Sequence, residues 1–127
     1  MAVKVVDASI VAAMVFGEPD VDLAAGLMRG ARLAAPRLLP YELANICVTK
    51  CRRRQERRDM YLAALATFAG MDVDLRDVDH DAAARLAERR RLTAYDASYL
   101  WLADDLDAEL LTFDRRLAAA RDSGRAQ

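Results

Sequence analysis

An α/β fold with a central parallel sheet of four or five strands flanked by helices is predicted by two features of the sequence. Short runs of β-branched and aliphatic residues alternate along the chain with longer helical stretches. The opening run, Val3–Val6, carries apolar side chains on both faces, which is typical of a strand covered on both sides in a parallel sheet. We therefore expect this strand to lie centrally, joined to its neighbours by right-handed crossovers.

The composition predicts one globular domain over residues 1–127, with a frayed tail at about residues 122–127. Hydrophobic residues make up 54% of the 127 positions, which is enough for a buried core and too many for a disordered chain. The formal net charge of −1 excludes a strongly basic platform overall. Arginine is nevertheless concentrated at Arg52–Arg58 and Arg89–Arg91.

Cysteine usage and hydropathy predict a cytoplasmic protein. Cys47 and Cys51 lie four residues apart on a predicted helix, a spacing that disfavours a structural disulfide, and with His80 they are too few for a zinc site. We expect two free thiols. Lys4 and Asp7 interrupt the N-terminal apolar run, so it does not fit a signal peptide, and no apolar stretch is long enough to cross a bilayer.

Caps and hydrophobic periodicity predict the remaining elements. In the first half we expect a helix over Ile10–Phe16, a second helix from Asp20 to Gly30, a strand at Leu33–Ala35 stopped by Pro36, and a helix from Pro40 to about Lys50. In the second half we expect a helix with Met60, Ala64, Leu65 and Phe68 facing inward, a strand near Val73–Leu75, a helix capped by Asp79, a nearly all-apolar helix over Leu92–Ala103, a strand at Glu109–Thr112 and a helix over Arg115–Arg121.

Four acidic residues occupy positions that meet in such a fold, because ligand sites of open parallel sheets lie at the carboxyl ends of the strands. Three further polar residues accompany them. The acids are Asp7 at the end of the first strand, Glu42 on the helix after the second strand, Asp96 at the start of the apolar helix and Asp114 after the last strand; the polar residues are Ser9, Asn45 and Thr112.

Each acid also has a purely structural alternative, and the sequence leaves these alternatives open. Carboxylates are favoured as helix caps and in first helical turns. On this alternative Asp7 or Ser9 caps the first helix, Asp96 completes a cap with Thr93, Asp114 caps the last helix and Glu42 is an exposed first-turn acid.

Carboxylates that converge repel one another unless a cation lies among them or some of them hold protons. Oxygen ligands without histidine or cysteine suit Mg²⁺ or Mn²⁺. Such ions can clamp the attacking and leaving oxygens of an in-line displacement at phosphorus. The pattern therefore predicts hydrolysis of a phosphodiester by a metal-activated water.

Four segments, taken in order, resemble the acidic motifs of PIN-domain ribonucleases, and most closely those of the VapC toxins of bacterial and archaeal toxin–antitoxin pairs. The segments are Val6–Ser9, Leu39–Asn45, Thr93–Ala97 and Leu111–Leu117. The resemblance implies a Mg²⁺-dependent endoribonuclease with an RNA substrate, an antitoxin partner and frequent homodimers. It also implies Asp7 and Asp96 as principal metal ligands, Glu42 and Asp114 as the other catalytic acids, and Ser9, Asn45 and Thr112 as supporting residues.

Two other classes of function stay open at this point. In a phosphotransferase with an aspartyl nucleophile, Asp7 would attack phosphorus itself, although such enzymes usually carry a second acid where this chain has Ser9. The third possibility is a catalytically silent binding module. We interpret Arg52–Arg58 and Arg89–Arg91 as solvated helix ends, with contacts to an RNA backbone as the alternative.

Overall fold

The computed structural model describes residues 1–126, and a parallel four-stranded sheet forms the centre of this part of the chain. The strand order is β3-β2-β1-β4, and every neighbouring pair is parallel. The predicted parallel α/β fold is confirmed, and β1 is an interior strand as expected. The strands are β1 (Val3–Val6), β2 (Arg32–Pro36), β3 (Val73–Arg76) and β4 (Glu109–Leu111).

Helices connect and flank these strands, and most of the predicted boundaries hold to within about two residues. A short 3₁₀ turn over Gln55–Arg57 separates the third and fourth helices, and a second one follows the fourth helix. The helices are α1 (Ala8–Phe16), α2 (Val21–Met28), α3 (Leu39–Arg53), α4 (Arg58–Ala66), α5 (His80–Arg90), α6 (Ala94–Asp105) and α7 (Arg115–Ala126).

The interior position of β1 determines where the chain places its first acid. Val5 and Val6 are fully buried, and Val6 lies opposite Leu111 of β4. The backbone N–H of Asp7 then donates to the carbonyl of Leu111 at 3.2 Å, so the pairing continues to the first residue after the strand. The carboxyl ends of β1 and β4 therefore lie side by side, with α3 and α6 available to cover them.

Two helices run further than the sequence predicts. Helix α3 continues to Arg53, with Lys50, Arg52 and Arg53 in its last turn, where positive charge is favoured by the helix dipole. Helix α7 continues to Ala126, so the tail predicted to fray at 122–126 is helical; residue 127 lies outside the described part. Long-range contacts hold α7 in place, because the side chain of Arg90 donates to the carbonyl of Ala120.

Two side chains differ from their expected surroundings. Met60, predicted to face inward, is 54% exposed, because it lies in the first turn of α4 beside the exposed arginine-rich segment. Asp104 lies beyond the acidic motifs, and the sequence alone predicts a solvated acid there. It pairs with the buried guanidinium of Arg121, which also donates to the carbonyl of Ala108 at 2.8 Å. This contact fastens α7 to the end of α6.

Both cysteines are free thiols, as predicted. Over residues 1–126, none of the helices combines the length and the hydropathy that a bilayer crossing requires.

Candidate active site

Asp7 is a buried carboxylate at the carboxyl end of β1, with only 6% of its surface exposed. Its Oδ1 atom accepts hydrogen bonds from the Ser9 hydroxyl at 2.6 Å and from the backbone N–H groups of Ser9 and Ile10 at 3.0 and 3.3 Å. Its Oδ2 atom accepts from the Thr112 hydroxyl. Asp7 is therefore the N-cap of α1, as the structural alternative holds. Oδ2, with one donor against three at Oδ1, has the greater capacity left for a ligand.

Ser9 and Thr112 join the ends of β1 and β4. The Ser9 hydroxyl accepts from the backbone N–H of Phe113 at 2.9 Å, and the Thr112 hydroxyl oxygen accepts from the N–H of Asp114 at 2.9 Å. Each hydroxyl thus donates to Asp7 and accepts from the segment after β4. The two residues predicted to support the site hold Asp7 and the approach to Asp114 in one hydrogen-bond network.

Glu42 is half-buried in the first turn of α3, where its Oε1 atom accepts a hydrogen bond from the Tyr99 hydroxyl at 2.6 Å. Burial raises the pKa of Glu42, the bond from Tyr99 lowers it, and the negative charges of Asp96 and Asp7 raise it further, giving a net increase. Glu42 is therefore not the exposed first-turn acid that the structural alternative describes. Tyr99 lies 57 residues after Glu42, so this hydrogen bond ties the start of α3 to α6.

Asp96 and Asp114 lie at the starts of α6 and α7. The Thr93 hydroxyl accepts from the N–H of Asp96 at 3.0 Å and caps α6. Asp114 Oδ1 accepts from the N–H groups of Arg116 and Leu117 at 2.9 and 3.2 Å, so Asp114 does cap α7. Burial and the charge of Asp114 raise the pKa of Asp96, while Thr93 and the charge of Arg116 oppose the increase.

These mutual effects show that the structure brings the four predicted acids to one end of the sheet. Asp7 and Asp96 both act on Glu42, and Asp114 acts on Asp96. The pKa of Asp7 is itself raised, because burial outweighs its four hydrogen bonds. The cap roles of Asp7 and Asp114 are therefore compatible with membership in one acidic site. The catalytic and metal-binding roles of these residues stay predictions.

Asn45 lies apart from this hydrogen-bond network, on the exposed surface of α3 one turn after Glu42. It borders a groove of about 470 Å³ that opens beside Glu42. The groove is lined by Ala8, Leu38, Tyr41, Glu42, Asn45, Ile46 and Tyr95. Of the three supporting residues predicted from sequence, Asn45 therefore contacts a different part of the site from Ser9 and Thr112.

Sequence reasoning missed two residues that act on the acids. From its place on a nearly all-apolar helix, the sequence predicts Tyr99 to be a core residue; its ring is buried, but its hydroxyl donates to Glu42. Its position three residues after Asp96 on α6 was the available signal, since that spacing places both on one helix face. Arg116 lowers the pKa of Asp96 and donates to the carbonyl of Arg91 at 3.1 Å. Nothing in the sequence distinguishes Arg116 from the other arginines.

A family model described as the PIN domain matches residues 4–122, which is nearly the whole chain and includes all four acids. The chain belongs to the PIN-domain family. A sequence comparison with curated proteins gave no match.

Two solved structures are similar to this PIN domain. The crystal structure of PAE2754 from Pyrobaculum aerophilum is 27% identical, with a TM-score of 0.75 over 99% of this chain and 97% of that one. The crystal structure of Mycobacterium tuberculosis VapC20, described as a sarcin-ricin loop cleaving toxin, is 20% identical. Its TM-score is 0.64, over 92% of this chain and 94% of that one. The second likeness is one of fold.

The donor set of this PIN domain fits a hydrated magnesium ion better than a fully protein-ligated one. Across residues 1–126, no three His, Cys, Asp or Glu side chains are grouped closely enough to hold a metal by themselves. Mg²⁺ keeps several waters and is usually bound by one or two carboxylates together with substrate phosphate. Burial is the main cause of the raised pKa values of Asp7, Glu42 and Asp96, and a cation bound at the site would offset it.

Proposed function

We propose that this PIN domain is a metal-dependent endoribonuclease and the toxin component of a toxin–antitoxin pair. The observation that carries the proposal is the set of four carboxylates held at the carboxyl ends of β1 and β4. Three of them have raised pKa values, mainly through burial, and the charges of neighbouring acids raise the pKa values of Glu42 and Asp96 further. Oxygen-only donors in this arrangement suit Mg²⁺, with Mn²⁺ as a substitute. The fold shared with a toxin described as cleaving the sarcin-ricin loop supports RNA as the substrate.

The chain's own residues take distinct roles in this proposal. Asp7 Oδ2 and the Asp96 carboxylate would hold the metal, which supplies Lewis-acid stabilisation and a water of lowered pKa. Ser9 and Thr112 orient Asp7 through the bonds described above. Glu42, with its raised pKa, suits the acceptance of a proton from the attacking water. The negative charge of Asp114 acts on Asp96.

The proposal predicts a specific pair of cleavage products. The purified protein should cut RNA internally in Mg²⁺ or Mn²⁺, lose the activity in chelator, and leave 5′-phosphate and 3′-hydroxyl ends, because water is the nucleophile. Mapping both ends of the fragments measures this directly. Fragments with 2′,3′-cyclic phosphates would contradict the proposal, since such ends arise from attack by the ribose hydroxyl.

The hydrogen bonds of Asp7 disfavour the alternative in which this residue is an aspartyl nucleophile. Oδ1 already accepts three donors and Oδ2 one, and the residue at the position of the usual second acid is Ser9, which binds Asp7 itself. Incubation with a phosphate-monoester substrate followed by acid quench tests the alternative. A phosphorylated Asp7 would favour it over the nuclease, whereas cleaved RNA without a phospho-enzyme favours the nuclease.

Removal of the Tyr99 hydroxyl should weaken cleavage and change its pH dependence. The bond from Tyr99 lowers the pKa of Glu42, so Tyr99→Phe should raise that pKa further and move the acid limb of the pH–rate profile to higher pH. We expect kcat/KM at neutral pH to fall about 10-fold, since a hydrogen bond to a charged group is worth roughly 1.5–3 kcal/mol. Tyr61→Phe, which removes a hydroxyl on α4, is the matched control. An unshifted acid limb in Tyr99→Phe would exclude this role for the bond.

The toxin role requires a partner that neutralises the site. We propose that, in the cytoplasm, the protein forms a homodimer and binds a small antitoxin. The argument is electrostatic, because four carboxylates form a negative pocket that a partner arginine can enter with charge-assisted hydrogen bonds. Co-expression with the product of the neighbouring gene should relieve growth arrest and yield a complex on purification. Arrest without relief and without a complex would reject the toxin–antitoxin role, even if the nuclease activity is found.

A further inference from the structure

Two tyrosine side chains stand exposed at the groove beside Glu42. Tyr41, in the first turn of α3, is 79% exposed, and Tyr95, in the first turn of α6, is 65% exposed. Every other aromatic side chain is buried or half-buried. Single apolar residues scattered over a protein surface need no explanation. Two large aromatic rings exposed together beside a candidate active site, by contrast, indicate contact with a ligand.

The groove that these rings line has a mixed apolar and polar lining. Ala8, Leu38 and Ile46 line it, and Ala8 follows Asp7 directly in the chain. Asn45 adds an exposed amide, which carries both a hydrogen-bond donor and an acceptor. The volume of about 470 Å³ lies within the roughly 300–1,000 Å³ that small-molecule sites occupy.

The charge of the site determines which part of an RNA suits this groove. Glu42 lines it, and the negative charges of Asp7 and Asp96 act on Glu42, so a phosphate in the groove would be repelled. A nucleobase is uncharged, stacks on aromatic rings and presents donors and acceptors at its edge. The groove therefore fits a base better than the backbone that carries it.

We infer that Tyr41, Tyr95 and Asn45 form a subsite that binds one unstacked nucleobase next to the bond that is cut. The inference rests on the proposed function and adds a binding determinant to it. The tyrosine rings supply stacking, and the Asn45 amide contacts the base edge. Because Glu42 belongs to both the groove and the acidic site, a base held there places its own phosphates beside the acids. The subsite thereby limits cleavage to single-stranded or unpaired RNA.

A base is favoured over a second protein as the occupant because the groove is continuous with the acids. Glu42 lines the groove and belongs to the acidic site, so an RNA that reaches the acids must pass beside the groove. Stacking also gives a chemical signature that a protein contact lacks. Tyr→Phe keeps the aromatic face on which a base stacks. Tyr→Leu keeps an apolar side chain but removes that aromatic face.

The test uses short fluorescein-labelled RNAs of defined sequence, in which nucleotides around the cleavage position are replaced one at a time by abasic residues. Cleavage of each RNA in Mg²⁺ is compared for wild type and for Tyr41 and Tyr95 changed to Phe, Leu and Ala. Binding is measured by fluorescence anisotropy with the same changes in an Asp7→Asn background. Met60→Ala, which removes an exposed apolar side chain on α4, is the matched control.

We expect one abasic position to lower the kcat/KM of wild type by about 5- to 100-fold, the range that base–aromatic stacking provides. Tyr95→Ala and Tyr41→Ala should lower kcat/KM on intact RNA by raising KM. In these two variants, an abasic residue at that position should lower kcat/KM much less than it does in wild type. The Phe variants should behave as wild type and the Leu variants as the Ala variants. Asn45→Ala should alter the preference among the four bases at the same position.

Several outcomes would overturn the subsite. Equal cleavage and binding by the Ala, Leu and Phe variants would exclude it, and so would unchanged cleavage with a shift of oligomeric state in the Ala variants, which would assign the rings to a protein interface. A chain that does not cut RNA at all, but binds it through stacking tyrosines, would reject the nuclease and retain the subsite. RNA cleavage that is unchanged by every substitution of Tyr41 and Tyr95 would support the nuclease and reject the subsite.

Discussion

Replacing Asp7 with asparagine is expected to lower RNA cleavage by at least about 100-fold while leaving the fold intact. The change keeps the shape of the side chain and its Oδ1 acceptor for Ser9 and Ile10, so the cap of α1 survives. It replaces Oδ2, the oxygen with spare capacity for a metal, by an amide nitrogen that cannot ligate one. The measurement is kcat/KM on a cleaved RNA at saturating Mg²⁺.

Asp79 offers a matched control for this substitution. It caps α5 through a bond from the N–H of Ala82 to its Oδ1 at 3.0 Å, so Asp79→Asn makes the same chemical change at another helix start. We expect its kcat/KM to stay within about twofold of wild type, because exposed substitutions away from special sites have effects of about 0.5 kcal/mol or less. Equal activity of Asp7→Asn and Asp79→Asn would mean that Asp7 is only a cap.

The second large effect concerns stability without metal. The pKa values of Asp7, Glu42 and Asp96 are raised in the folded protein, mainly by burial, so the folded state holds their protons more tightly than the unfolded chain does. Their contribution to stability is complete below the ordinary values of 3.8 for aspartate and 4.5 for glutamate. It is lost as the pH rises through the raised values. In chelator, these three groups therefore destabilise the fold at neutral pH.

Glu42→Gln isolates this effect because glutamine keeps an oxygen that can accept from Tyr99 but carries no charge. In chelator at neutral pH, the variant should melt above wild type, because it lacks the charge that burial and the neighbouring acids disfavour in the folded state. The difference should disappear when the pH falls below the ordinary glutamate value. Glu88→Gln on the exposed side of α5 serves as the control. A Glu42→Gln variant that melts below wild type at neutral pH would show that the charge stabilises the fold.

The neighbouring positions of Asp7 and Asp114 could be predicted from the sequence because topology determines them. Asp7 and Asp114 follow β1 and β4, which are neighbours in a parallel sheet, so their meeting follows from strand order alone. Hydrogen bonds made by the terminal atoms of long side chains were harder to predict. Periodicity placed Tyr99 on a buried helix, but its contact with Glu42 depends on how α6 packs against the start of α3.

The extent of the last helix and the distances among the acids were hard to predict for a similar reason. The tail after Arg121 has few apolar residues and reads as frayed, yet α7 continues because Arg121 and Arg90 tie it to other segments. The sequence predicts that the acids converge but not how far apart they lie, and within residues 1–126 no three are close enough to hold a metal without water or substrate. The distances between the four carboxylates decide whether they bind one ion together or only interact through their charges. Strand order does not determine these distances.

The response of the melting temperature to Mg²⁺ tests the metal site most directly, because it needs no knowledge of the RNA that is cut. Mg²⁺ that binds only the folded protein should raise the wild-type melting temperature in proportion to the logarithm of its concentration above Kd. Asp7→Asn should melt no lower than wild type in chelator and gain much less from Mg²⁺, so the two curves converge or cross. If Asp7→Asn instead melts well below wild type in chelator and both respond equally to Mg²⁺, Asp7 is a structural cap and the assignment of the acidic site is wrong.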